Sequence, residues 1–147
     1  MTRNKIILLL LAGLLTSCFD DGDCRSTKTD LVYIDFRTSA TDEVDTVEIK
    51  GVTIAQLDSV FYEKDTTTSI TLPLDPNTNS LVLTFEFETV NHELTLDYIT
   101  TPQLITVDCG VELSYSGISV AQQDFDSVVV RSSVLDEQIT SNIVIYQ

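Results

Sequence analysis

From Leu81 to Thr89 the chain alternates without a break. Leu81, Leu83, Phe85 and Phe87 fall on one side of an extended backbone, and Val82, Thr84, Glu86 and Glu88 fall on the other. A strand sends successive side chains to opposite faces, so this period of two builds one apolar face and one mainly polar face. A helix would scatter the same four apolar residues around its axis. Leu94, Leu96 and Tyr98 repeat the alternation after Asn91-His92. The two runs predict a hairpin with its tip at Asn91-His92. A strand pair with one wet face belongs in an antiparallel sheet packed on one side only.

The remaining segments obey the same period. Leu31 to Arg37 is predicted as a strand with Val32, Ile34 and Phe36 on one face. Val44 to Lys50 follows, with Val47 and Ile49 inward, and Gly51 permits a bend or bulge. Val52 to Leu57 reads as an irregular connection, although Ile54 and Leu57 could also share one turn of helix. Ser59 to Glu63 is a short strand, and the polar run Lys64 to Thr68 a loop. Ser69 to Leu74 places Ile70, Leu72 and Leu74 together. Pro73 cannot donate to a ladder, so this strand belongs at an edge or ends there. Asp75 to Asn79 is a turn by composition. Thr101-Pro102 is read as a break. Beyond it, Leu104 to Asp108, Val111 to Ser116, Ser127 to Arg131 and Asn142 to Tyr146 are further strands. Gln122 to Phe125 and Leu135 to Gln138 are polar connections, each long enough for one turn of helix.

No segment sustains a 3.6-residue period. About eight or nine short strands, with turn signals roughly every 8–12 residues, predict an all-β domain. The expected form is an antiparallel two-sheet β-sandwich of Ig-like architecture over residues 30–147.

The N-terminus carries a different signal. Arg3 and Lys5 precede an apolar run from Ile6 to Leu15, and Leu15-Thr16-Ser17-Cys18 follows at once. The run is shorter than the roughly 20 residues a spanning helix needs. Basic start, short apolar stretch and small residues at a cleavage point are the grammar of an export signal. The tetrad ending in Cys18 resembles a bacterial lipobox. The resemblance implies that residues 1–17 are a removed signal peptide. It also implies that Cys18 bears a thioether-linked diacylglycerol and an amide-linked acyl chain of the palmitate type. Each buried methylene contributes about 0.8 kcal/mol, and one chain alone anchors only marginally. Two or three chains would hold the domain at a membrane. An ordinary signal peptide with a chance cysteine, or an uncleaved anchor, are the competing readings.

Residues 18–29 then form a lipidated acidic tether that opens with Phe19-Asp20-Asp21-Gly22-Asp23. Phe19 stands where an inner-membrane retention signal of enterobacterial lipoproteins would place Asp, which argues for the outer membrane. The acidic cluster is similar to the surface-export signal of Bacteroidota lipoproteins, so the cell surface is favoured slightly over the periplasmic face. As bare chemistry such a run is a solvated linker.

Removing residues 1–17 leaves 130 of the 147 residues, one domain's worth. The net charge of −15 moves to −17 with the loss of Arg3 and Lys5. That surface disfavours nucleic acid and anionic membrane as partners. Cys24 and Cys109 remain as an even pair in an oxidising compartment. The simplest reading is a Cys24–Cys109 disulfide fastening the tether to the body of the domain. It would close a loop of about 85 residues, worth roughly 4–5 kcal/mol at most by chain entropy. Two free thiols, or a metal site drawing on His92, use the same residues.

Taken together, the lipobox, Leu72-Pro73-Leu74, Leu96-Asp97-Tyr98 and Asp108-Cys109-Gly110 resemble a family of small Bacteroidota lipoproteins of unknown function. The resemblance implies a secreted β domain and supplies no catalytic residue to carry over.

Chemistry is sparse in the residues themselves. His92 is the single histidine, so a Ser-His-Asp or Cys-His unit would have to use it, from an exposed hairpin tip. A zinc site needs three or four converging ligands. Asp75, Asn77, Asn79 and Glu86 have the 1, 3, 5 and 12 spacing of a calcium loop, but Ser80 stands where the loop's glycine belongs. Turn-forming Asp and Asn explain the same residues. Glu86 and Glu88 share a strand face and are the carboxylate pair to weigh for glycosidic chemistry. There is no Trp to form a sugar platform, and Tyr33, Tyr62, Tyr98, Tyr115 and Tyr146 read as strand residues.

The expectation is therefore a lipid-anchored outer-membrane β-sandwich that binds or scaffolds without catalysis and needs no cofactor. Its partners would be the membrane, through the anchor, and a protein or glycan. A hydrolase with carboxylates converging in a cleft, and a surface glycan-capture accessory protein, are the alternatives. A cleft would favour the enzyme; an exposed apolar patch would favour the module.

Overall fold

A computed structural model describes Cys24, residues 28–55, Leu57 and residues 59–147. Nine strands run in chain order: β1 Leu31–Arg37, β2 Val47–Ile54, β3 Ser59–Thr67, β4 Ser69–Pro73, β5 Ser80–Glu86, β6 Asn91–Thr106, β7 Gly110–Gln123, β8 Ser127–Val130 and β9 Ile143–Tyr146. They form two sheets, ordered β4-β1-β9-β8 and β3-β2-β5-β6-β7. The chain is all-β and the sheets make a sandwich, as the alternation predicts. One pairing departs from the antiparallel expectation: β1 and β9 run parallel, Ile34 opposite Ile143 to Arg37 opposite Tyr146. The first and last strands are thereby joined inside one sheet.

The core lies between the sheets and is built from the predicted faces. Val32, Ile34 and Phe36 of β1 and Leu81, Leu83 and Phe85 of β5 are fully buried. Phe85 sits at the centre of an aromatic chain, edge-on to Phe36 at 6.2 Å and to Phe125 at 5.3 Å. Edge-to-face contact of this kind adds to the area term because ring edges are positive and faces negative.

Four sequence expectations are corrected. The β5–β6 hairpin turns at Phe87–Val90, closed by the Phe87 amide donating to the Val90 carbonyl at 3.0 Å. Asn91 and His92 lie within β6, opposite Glu86 and Phe85. Both tip positions keep Leu81, Leu83 and Phe85 on the same side as Leu94 and Leu96, so alternation cannot choose between them. Val52 to Ile54 is strand, not irregular connection. Residues 47 and 49 are buried before Gly51, and Val52 and Ile54 after it. The burial parity changes at Gly51, and the β2–β3 register shifts just beyond it, between Val52 and Thr53, where Phe61 of β3 is the extra residue. Lys64 to Thr67 continues β3, which pairs with β2 along the sheet edge and so needs no apolar period. Finally, Thr101-Pro102 does not end a strand. β6 runs through it for 16 residues, with Pro102 opposite Leu113 of β7.

The edges are managed. β4 is an edge strand, as Pro73 predicts. The outward amide and carbonyl of Thr71 are both satisfied by the Tyr62 hydroxyl, which accepts at 3.0 Å and donates at 3.2 Å. Tyr62 belongs to the other sheet, so this contact both blocks an edge and ties the layers together.

Asn142 is the one fully buried polar side chain among the described residues. Its Oδ1 accepts from the Tyr33 amide at 3.0 Å and its Nδ2 donates to the Val134 carbonyl at 2.9 Å. It thereby fixes the start of the parallel β1–β9 pairing. Asn142→Ala should leave both backbone groups buried and unpaired, for a loss of about 2–4 kcal/mol. Urea unfolding checks this; an unchanged midpoint would show that water replaces both bonds.

Candidate functional site

The feature that separates this domain from a plain sandwich is the far half of β6 and β7. β5 pairs with β6 only from Asn91 to Asp97. Beyond that point, among the described residues, β6 pairs with β7 alone, from Ile99 opposite Ser116 to Thr106 opposite Gly110. A two-stranded ribbon results. Pro102 is tolerated here because one side of β6 has no ladder to complete. Bulges shift the register between Asp97 and Ile99 and between Leu104 and Thr106.

The ribbon is amphipathic. Pro102 faces Leu113 and Leu104 faces Val111, on the side that continues the buried residues Tyr98 and Tyr115. Thr101 with Ser114 and Gln103 with Glu112 occupy the opposite side, where Ile99, opposite Ser116 at the ribbon base, is the exposed apolar exception. The sandwich does not cover the apolar side: Leu104 is 60% exposed, Val111 64% and Leu113 39%. Val107 at the tip is 90% exposed. At the turn, Thr106 Oγ1 accepts from the Cys109 amide at 3.0 Å, and Gly110 adopts φ 79°, a conformation glycine takes without strain.

Cys109, in this turn, is disulfide-bonded to Cys24, with Cα atoms 5.4 Å apart. The predicted pairing is present, but it fastens the N-terminal segment to the ribbon tip and not to the body of the domain. The segment reaches the body further on, where Lys28 Nζ pairs with Asp136 at 3.4 Å. Lys28, Thr29 and Asp30 share a shallow groove with Glu112, Leu113 and Tyr115 at the ribbon base. Burial raises the phenol pKa of Tyr115, and likewise that of Tyr98. Both rings are held 6.1 Å apart as the floor on which the ribbon stands.

The other candidates are not brought together. His92 is a half-buried strand residue whose ring stacks on Phe125 at 4.7 Å and meets Phe87 at 5.8 Å. Its Nδ1 lies 3.2 Å from Asp124 Oδ1, which also accepts the Glu93 amide at 2.8 Å. The imidazole therefore packs the β6 start against the β7–β8 corner. Asp75 and Asn77 form a local turn, Asp75 Oδ1 accepting from the Asn77 amide at 2.9 Å and its Nδ2 at 3.0 Å. Tyr98 clamps that turn by donating to the Asp75 carbonyl at 2.8 Å. Asn79 sits beside β5 at its start, whereas Glu86 ends it, about 20 Å along the strand. Glu86 is thus not gathered to Asp75, Asn77 and Asn79. No group of three or more His, Cys, Asp or Glu side chains among the described residues is placed to hold a metal ion. Glu88 lies in the β5–β6 turn, beside Lys50 at 3.6 Å. Cys18 and the lipobox lie outside the described residues.

Sequence reasoning missed the ribbon. The signal was present in the even spacing of Pro102 and Leu104 and of Val111, Leu113 and Tyr115. Pro102 concealed it, because proline in a run reads as a break.

Residues 46–147 match the model of a family of unknown function (DUF6452). No curated protein and no solved structure matches the chain.

Proposed function

This chain belongs to the DUF6452 family of unknown function, and from that premise we propose that it is a lipid-anchored outer-membrane module with a binding or structural role and no catalysis. The reading rests on the Cys24–Cys109 disulfide. A stable bond of this kind belongs to an exported protein, because cytosolic thiols are held reduced. Export agrees with the basic, apolar and small-residue order that ends at Cys18. The lipobox-like tetrad supports acylation there, and Bacteroidota lipoproteins supply the resemblance for the acidic run that follows. The cell surface is the favoured face.

The exposed apolar ribbon supports a module that works by contact. Contiguous exposed apolar surface is a recurrent mark of contact sites. His92, the side chain that a Ser-His-Asp or Cys-His unit would have to use, stacks on Phe125 and lies against Asp124.

Fractionation of the native cells, followed by proteinase treatment of intact cells, tests the proposal. The protein should sediment with outer membranes and be digested from outside. Recovery in a soluble fraction would overturn it. Protection on intact cells, with membrane recovery, would move it to the periplasmic face.

A further inference from the structure

We propose that the apolar side of the β6–β7 ribbon lies on the bilayer that carries the anchor, making a second, non-covalent membrane contact. The inference rests on the proposed lipidation of Cys18 and extends it to a surface of the folded domain. Three observations combine. Leu104, Val111 and Leu113 are exposed on one side of the ribbon, and Val107 is exposed at its tip. The tip is covalently bound to Cys24. Cys24 is only six residues beyond Cys18, which limits their separation to about 20 Å even when fully extended. A lipid on Cys18 therefore keeps the ribbon tip within reach of the headgroup layer, whatever the orientation of the sandwich.

That confinement changes what a weak apolar surface can do. A handful of aliphatic side chains would not recruit a free domain to a membrane. Held by a short link, the same side chains meet the bilayer at high effective concentration, so their contact becomes intramolecular. Peripheral proteins commonly combine two such signals, a lipid and a surface. The opposite side of the ribbon, Thr101 with Ser114 and Gln103 with Glu112 beyond Ile99 at its base, is then left facing water. Asp108 and Glu112 flank the apolar pairs, so the lipid that fits is zwitterionic; anionic headgroups would repel them. The disulfide gains a role in this arrangement, because without it the tip would no longer be bound to the tether.

The chain contains no Trp, so a single introduced indole reports on its own site. Full-length, lipidated Val107→Trp is reconstituted into phosphatidylcholine vesicles with or without acyl-chain bromination. Val44→Trp serves as the reference, since Val44 is 62% exposed and bridges Arg37 at the opposite end of β1. Both positions are solvent-facing, so neither change disturbs the core. Vesicle flotation is measured on the same samples. The proposal expects both variants to float. Val107→Trp should show blue-shifted emission and bromolipid quenching, and Val44→Trp water-like, unquenched emission. Flotation of Val107→Trp with water-like, unquenched emission overturns the ribbon contact and leaves the anchor standing. Blue-shifted but unquenched emission from Val107→Trp overturns it in favour of a second copy of the chain seated on the ribbon. Failure of the unmodified chain to float overturns the anchor, and the ribbon contact with it.

Discussion

Phe85→Ala is expected to lower the stability of the domain by about 3–5 kcal/mol, the range for deleting a buried aromatic ring. Phe85 has no solvent exposure and belongs to the central strand of the five-stranded sheet. Its ring is contacted edge-on by Phe36 from the opposite sheet and by Phe125 from the β7–β8 connection. Removing it opens a cavity bordered by elements that sheet hydrogen bonds hold in place, so collapse around it is limited. It also removes one of the rings that hold Phe125, on which His92 stacks. The loss is a large fraction of what a domain of this size has in total. Urea titration of the mature chain measures it. A loss under about 1 kcal/mol would mean that the three rings do not form the centre of the core.

Cys18→Ala is expected to remove the protein from the outer-membrane fraction altogether. On the proposed lipidation, two or three acyl chains, each methylene contributing about 0.8 kcal/mol, would far exceed anything the ribbon could contribute alone. The apolar run Ile6 to Leu15 is too short to replace them as a spanning segment. The proposed ribbon contact would depend on the tether for its effective concentration, so it would not compensate for the missing lipid. Fractionation with immunoblotting reads the outcome. Unchanged outer-membrane recovery of the variant would show that something other than Cys18 anchors the chain.

The sandwich was legible because burial on one face imposes a period of two that sequence displays directly. Val32, Ile34 and Phe36, Ile70 and Leu72, and Leu81, Leu83 and Phe85 are all buried as their alternation implies. Features that leave the period unchanged were hidden. The hairpin tip could be placed at Asn91-His92 or at Phe87–Val90 without moving an apolar residue to the wrong face. β3 has polar residues through Thr67 because an edge strand needs only its partner's backbone. The parallel β1–β9 pair joins residues more than a hundred positions apart, and nothing local announces it.

The site divides in the same way. Cys24 and Cys109 could be paired by count and compartment, since Cys18 is claimed by the lipobox reading. Where the bond would act could not be read, because Pro102 disguised β6 as two strands and made Cys109 look like part of the body. His92 was misplaced with the hairpin tip, and its stacking on Phe125 joins distant parts of the chain. The spacing of Asp75, Asn77, Asn79 and Glu86 is that of a calcium loop, but an extended strand carries Glu86 away from the turn.

Mass spectrometry of the unreduced protein from its native membranes tests the central claim most directly, because trypsin leaves both marks on one species. Arg25 is the first cleavage site after Cys18, and no Lys or Arg lies between Lys64 and Arg131. The account predicts residues 18–25, acylated at Cys18, joined through Cys24 to residues 65–131 containing Cys109. Recovery of residues 18–25 without lipid, of a peptide retaining residues before Cys18, or of Cys24 and Cys109 as free thiols would contradict it.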